Sequence, residues 1–270
     1  SLPCLAMCSD DTRNDTQAAS WFPSLLESMS PSCSLDEVIA HAMPFDLLLF
    51  RCNMLSAAAL RAATLCAWDH VGVIVNNADG KLFFLESCVA GTRVFPLESR
   101  LREYNSHYAS KISWRRMHAS MPPARIAAMH AFVAQVDYLR PAGLQDAPKM
   151  LFTLRGDVKW TNGRAGQPLD SPPAIDEAYF CSEVVVELFR RCGLVPHGIR
   201  SAAFWPADLS NGGYIDKILC GSGCALGAEQ RIDFETKGTE LRYNDVIAGG
   251  GAHANALAIG PDMSCLWRKA

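Results

Sequence analysis

Two runs of strand-forming residues, HVGVIV at 70–75 and KLFFLES at 81–87, flank NNADG, an Asn/Asp/Gly cluster suited to a hairpin turn. A hairpin there commits this part of the chain to an antiparallel sheet. Ahead of it, Leu47 to Phe50 in PFDLLLFRC is an apolar run of strand length, and LSAAALRAATLCAW has the Ala and Leu content of a helix. After it, PLESRLREY reads as a short helix charged on one side and KISWRRM as a strand. Pro122 and Pro123 then open ARIAAMHAFVAQVDYLR, where Ile126, Met129, Phe132, Val133 and Val136 recur at helical spacing. A polar stretch at 155–174 leads into AYFCSEVVVELFRRCG, whose Val184, Val185, Leu188 and Phe189 share a helix face and whose Gly193 is placed to end it. Residues 194–213 read as loop, and the last fifty as a strand or two and an irregular tail. The order strand, helix, hairpin, strand, helix, helix predicts an α+β fold with a mostly antiparallel sheet collected in the first half.

With 270 residues, 49% of them hydrophobic, the chain can bury a sizeable core, and one domain accounts for the pattern. Residues 1–43 read as a leader segment, 44–213 as the domain and 214–270 as a C-terminal extension. A balance of 25 basic against 28 acidic residues, without a basic run, excludes nucleic acid as an expected partner. No apolar segment approaches the roughly 20 residues that span a bilayer. The opening SLPCLAMCSDDTRNDT lacks a basic start and apolar core, so it does not read as a secretion signal. Eleven cysteines, odd in number and scattered through apolar segments, differ from a secreted disulfide framework and point to a reducing, cytoplasmic setting.

One cysteine, Cys181, stands at the head of an apolar helix. There the free backbone N–H groups and the helix dipole favour a thiolate, the reactive form of cysteine. A nucleophile of this kind needs a histidine base and a polar group to orient that base. Of seven histidines only His70 begins a strand, and a turn centred on Asn77–Gly80 sets it opposite Glu86 or Ser87. By alternation His70, Gly72 and Ile74 face one way, and Leu82, Phe84 and Glu86 share a face of the next strand. A carboxylate ending the apolar run FFLE is costly to bury unless paired, and His70 supplies the pair. Taken singly, each residue has an ordinary structural role: a buried thiol, a satisfied histidine, a solvated strand end. Their joint placement is what points to chemistry. The CGSGC run at 220–224 lacks a second pair or a His at zinc spacing, the GSG and GGG runs lack a phosphate-cradle context, and no serine sits in a G-x-S-x-G elbow. Neither a metal nor another cofactor is expected.

The set FDLLLF, DHVGVIV, LFFLES, VFPLESRL, YFCSEVVVELF and WPADLS resembles the circularly permuted papain-like hydrolases, a group that includes the YiiX-like proteins and is related to NlpC-type cell-wall peptidases and lecithin retinol acyltransferase. The resemblance covers about residues 44–210. It implies a permuted papain-like fold in which the His strand precedes the Cys helix, with Cys181 as nucleophile, His70 as general base, Glu86 as the orienting residue and the Cys181 N–H in the oxyanion hole. Where the family has Gly-Asp before its first strand, this chain has Phe45-Asp46. The expectation is a cysteine hydrolase of peptide or amide bonds, or an acyl-transfer enzyme, with a peptide, amide or lipid-ester substrate. The alternative is a papain-like domain kept as a non-catalytic binding subunit, meeting protein partners through its N- and C-terminal extensions. A redox-sensing role would need Cys88 or Cys192 beside Cys181.

Overall fold

The computed structural model describes residues 31–142 and 178–234. The hairpin consists of β3 (His70–Asn76) and β4 (Leu82–Cys88), joined by a turn in which Asn77 and Lys81 exchange a backbone hydrogen bond and the Asn77 side chain accepts from the Asp79 and Lys81 N–H groups. On one side β4 pairs with β5 (Gly91–Pro96). On the other, β3 pairs with β2 (Leu47–Cys52), and β2 with β6 (Ala109–Arg115), all antiparallel. The sheet continues through β9 (Gln230–Asp233), antiparallel to β6, to β1 (Ser32–Ser34), which lies parallel to β9. The seven strands run β1-β9-β6-β2-β3-β4-β5, and β7 (Met117–His118) and β8 (Ala225–Leu226) form a separate pair.

Alternate residues of the central strands feed two cores. Leu47, Leu49, Val71, Val73, Val75, Phe83 and Leu85 pack with two helices, α4 (Pro123–Val136) and α5 (Cys181–Arg191). Leu48, Phe50, Ile74 and Phe84 face α1 (Leu35–His41) and α3 (Leu97–Glu103). Burial on both faces explains the near-continuous apolar runs LLLF and FFL. Six helices are present among the described residues, including α2 (Leu55–Thr64) and α6 (Tyr214–Gly221), and with a mostly antiparallel sheet the fold is α+β.

Several elements differ from expectation. The sheet takes strands from both sides of 44–213, β1 from the segment read as leader and β9 from the segment read as extension. Helix α1 has a full capping box, Ser34 Oγ accepting from the Glu37 N–H and Glu37 Oε2 from the Ser34 N–H. The segment 194–213 contains two 3-10 turns, Ser201–Ala203 and Pro206–Leu209. Helix α6 has no counterpart among the expectations: in eight residues only Ile215 and Leu219 are fully buried, too few repeats for a helical period to stand out. The polar stretch 155–174 lies outside the described residues.

Candidate active site

The start of α5 is held from three sides. Phe180 is its extended N-cap, and the Phe180 N–H donates to Glu183 Oε2 at 3.1 Å, so the first turn closes on its own third residue. The Ser87 hydroxyl donates to the Tyr179 carbonyl, tying the residue before the cap to β4. The Ser182 hydroxyl donates to the Phe204 carbonyl at 2.5 Å, fixing the other side to the 3-10 segment. Val184, Val185, Val186, Leu188 and Phe189 are fully buried, each contributing about 1.5–3 kcal/mol. Cys181 is the first helical residue and partly exposed, and its N–H has no acceptor within the helix.

His70 stands at the first position of β3 with 13% of its side chain exposed. Its Nε2 lies 2.5 Å from Glu86 Oε2. With Nε2 committed there, Nδ1 is the ring nitrogen left for Cys181, which lies close enough to favour the charged imidazole. Burial opposes charge on His70, but Cys181 and Glu86 outweigh it and raise its pKa to about 10. Phe50 and Tyr104 flank the ring, with centroids 5.6 and 5.8 Å away.

Glu86 is fully buried yet ionised. Burial pushes its carboxyl up, while hydrogen bonding and charge from His70, the Arg100 charge and a hydrogen bond from Tyr104 hold it below the ordinary range. Arg100 Nε and Nη2 each lie 2.7 Å from Oε1, and the Tyr104 hydroxyl donates to Oε2 at 2.6 Å.

The strand register corrects one expectation. Val73 pairs with Leu85 and Asn76 with Leu82. Continued, this register sets His70 level with Cys88, and Glu86 across from Gly72. Glu86 is thus a diagonal neighbour on the same face, within reach of a long side chain. Gly72 lies under the Phe84 ring: a Cβ there would come within 2.3 Å of Cζ and 2.8 Å of the Leu85 carbonyl oxygen.

Asp69, next to His70, is pinned by the Arg61 guanidinium and by the Cys52 N–H at 3.1 Å to each oxygen. Asp46 is buried and accepts from the Met43 N–H at 2.9 Å, Trp114 Nε1 at 2.9 Å and the Met117 N–H at 2.7 Å. Cys192 caps the opposite end of α5, about 16 Å from Cys181 at 1.5 Å per residue. Cys88 turns its thiol to the Gly91 carbonyl at 3.6 Å. Within CGSGC, Cys220 is exposed and Cys224 buried, and no group of three or more His, Cys, Asp or Glu side chains among the described residues is gathered as a metal would require. No helix among the described residues is long and apolar enough to cross a membrane.

The structure thus brings together Cys181, His70 and Glu86. Arg100 and Tyr104 join them without having been singled out by sequence. The signal available for Arg100 was its place within VFPLESRL.

No protein-family model and no curated protein matches this sequence. Among solved structures the chain is similar to the crystal structure of the metalloprotein yiiX from Escherichia coli O157:H7, DUF1105, at 16% identity and a TM-score of 0.38. That match covers 56% of this chain and 66% of the other, just under two thirds of its length.

Proposed function

We propose that this protein is a cysteine-dependent hydrolase of amide or peptide bonds, or an acyl-transfer enzyme, with a permuted papain-like arrangement of Cys181, His70 and Glu86. The observation that carries the reading is the His70 ring, bonded through Nε2 to buried Glu86 at 2.5 Å, with Cys181 nearby at a helix start. A charged imidazolium beside a thiol at a helix N-terminus favours the thiolate–imidazolium pair.

In this mechanism the Cys181 sulfur attacks the carbonyl carbon, and the oxyanion takes the Cys181 N–H. His70 Nδ1–H passes its proton to the departing amine or alcohol as the carbonyl re-forms, leaving a thioester. His70 then takes a proton from water or from an acceptor hydroxyl or amine, whose attack releases the acyl group and restores the thiolate. Glu86 stays ionised and holds the ring in the tautomer that faces Cys181.

Peptide mapping after brief iodoacetamide treatment at pH 6 tests the reading. Cys181 is expected to label first, His70→Ala to abolish that preference, and Cys181→Ala to remove turnover of fluorogenic amides and esters. Equal labelling of several cysteines would sink the idea. The second reading, a papain-like domain kept as a binding subunit, has in its favour the exposed apolar side chains of Leu55, Leu65 and Val89, at 90%, 94% and 86%. A Cys181 that reacts no faster than the exposed thiol of Cys220 favours it.

A further inference from the structure

We infer that Arg100 is a positioning residue of this site: its guanidinium keeps Glu86 ionised and aligned, and through Glu86 it maintains the charge of the His70–Cys181 pair. The inference rests on the cysteine-hydrolase reading and deepens it.

A carboxylate with no exposure tends to take up a proton. If His70 were its sole partner, burial would favour passage of the imidazolium proton to Glu86, leaving two neutral groups and no cation facing the thiol. A guanidinium does not give up its proton, so Arg100 blocks that collapse. The geometry divides the labour. Arg100 occupies Oε1 with Nε and Nη2, both at 2.7 Å, and Oε2 is left for His70 at 2.5 Å and the Tyr104 hydroxyl at 2.6 Å. Arg100 is itself fixed, its guanidinium carbon 4.1 Å from the Phe95 ring centre and 4.7 Å from that of Tyr104, with Nη1 on Glu103 Oε2 at 2.7 Å. The Tyr104 ring stacks on His70, so one aromatic side chain touches both cations.

From α3 towards α5 the row runs Arg100, Glu86, His70 and Cys181, with Arg100 and His70 as the cations on either side of the Glu86 carboxylate. The other groups facing this row are Glu103 on α3, the Tyr104 phenol, and the thiols of Cys52 on β2 and Cys88 on β4, both held protonated by burial. Without Arg100 the Glu86 carboxylate has His70 as its one cationic partner, and forming the thiolate becomes harder.

The pH dependence of Cys181 alkylation by iodoacetamide, followed by peptide mapping on the full chain, reads this directly and needs no substrate. In the unsubstituted protein Cys181 is expected to be alkylated with a lower midpoint pH than the exposed thiol of Cys220. Arg100→Gln is expected to raise it by about one pH unit, a tenfold loss of thiolate below the midpoint. Arg100→Lys, which keeps the charge and serves where the Gln variant fails to fold, is expected to stay within about half a pH unit of the parent. Arg102→Gln, on the exposed ion pair with Glu98, is expected to leave it in place. An unchanged midpoint in a folded Arg100→Gln, a midpoint as high as that of Cys220 in Arg100→Lys, or an equal rise in Arg102→Gln overturns the inference. A parent midpoint near that of Cys220 instead overturns the cysteine-hydrolase reading, and the role of Arg100 with it.

Discussion

Phe45 adopts a φ of 74°, in the left-handed region that non-glycine residues avoid, and is fully buried with its ring 6.3 Å from that of Phe189. Left-handed backbone costs a residue with a Cβ about 1–2 kcal/mol, and burying a Phe offsets that severalfold. Phe45→Gly is therefore expected to destabilise less than Phe45→Ala, by about 1 kcal/mol, although glycine is ordinarily the costlier choice. Urea denaturation of both variants checks the order, and equal losses would show that the backbone is unstrained there. Cys181, His70 and Glu86 stood out as candidates at this scale because a helix start, a strand start and side-chain alternation are local properties. Arg100 and Tyr104 were not, since their meeting with Glu86 depends on how α3 lies over the sheet.

At the scale of elements, the site depends on where β3, β4 and α5 are anchored. Adding a methyl at Gly72 drives it into Phe84 and the Leu85 carbonyl, so Gly72→Ala is expected to cost about 1–3 kcal/mol, with partial recovery in the double variant with Phe84→Leu. Thermal melting of the single and double variants measures this, and full stability of the single would contradict the close packing. Ser87→Ala removes the bond to the Tyr179 carbonyl, with an expected loss of about 1 kcal/mol and slower iodoacetamide labelling of Cys181 as the helix start loosens. A stability loss with unchanged labelling would make Ser87 a structural tether alone. The one-residue error in hairpin register came from the turn, whose Asn77 side chain organises a loop that dipeptide signals describe poorly. Helix α1 carried its signal in Ser34 and Glu37, a capping box set in a segment whose composition read as leader.

For the whole molecule, the buried charge row predicts how stability depends on pH. The His70 pKa lies above its ordinary 6.5, so its contribution is full below 6.5 and is lost as pH rises through about 10. The Glu86 pKa lies below its ordinary 4.5, so its contribution is present above 4.5 and is lost as pH falls through the lowered value. Melting temperature against pH is expected to show a plateau between these limits, and Glu86→Gln to flatten the acid limb and move the alkaline loss to lower pH. Parallel profiles for parent and variant would remove Glu86 from the pH response. The sequence by itself determined the hairpin, the amphipathic helices and the α+β order, because hydrophobic period and turn residues act over a few positions. Only the tertiary structure decided that β1 and β9 complete the sheet, that Glu86 is a diagonal rather than direct neighbour of His70, and that Arg100 and Tyr104 meet Glu86 in its interior. Those outcomes depend on burial and charge pairing between segments up to two hundred residues apart, which local pattern does not encode.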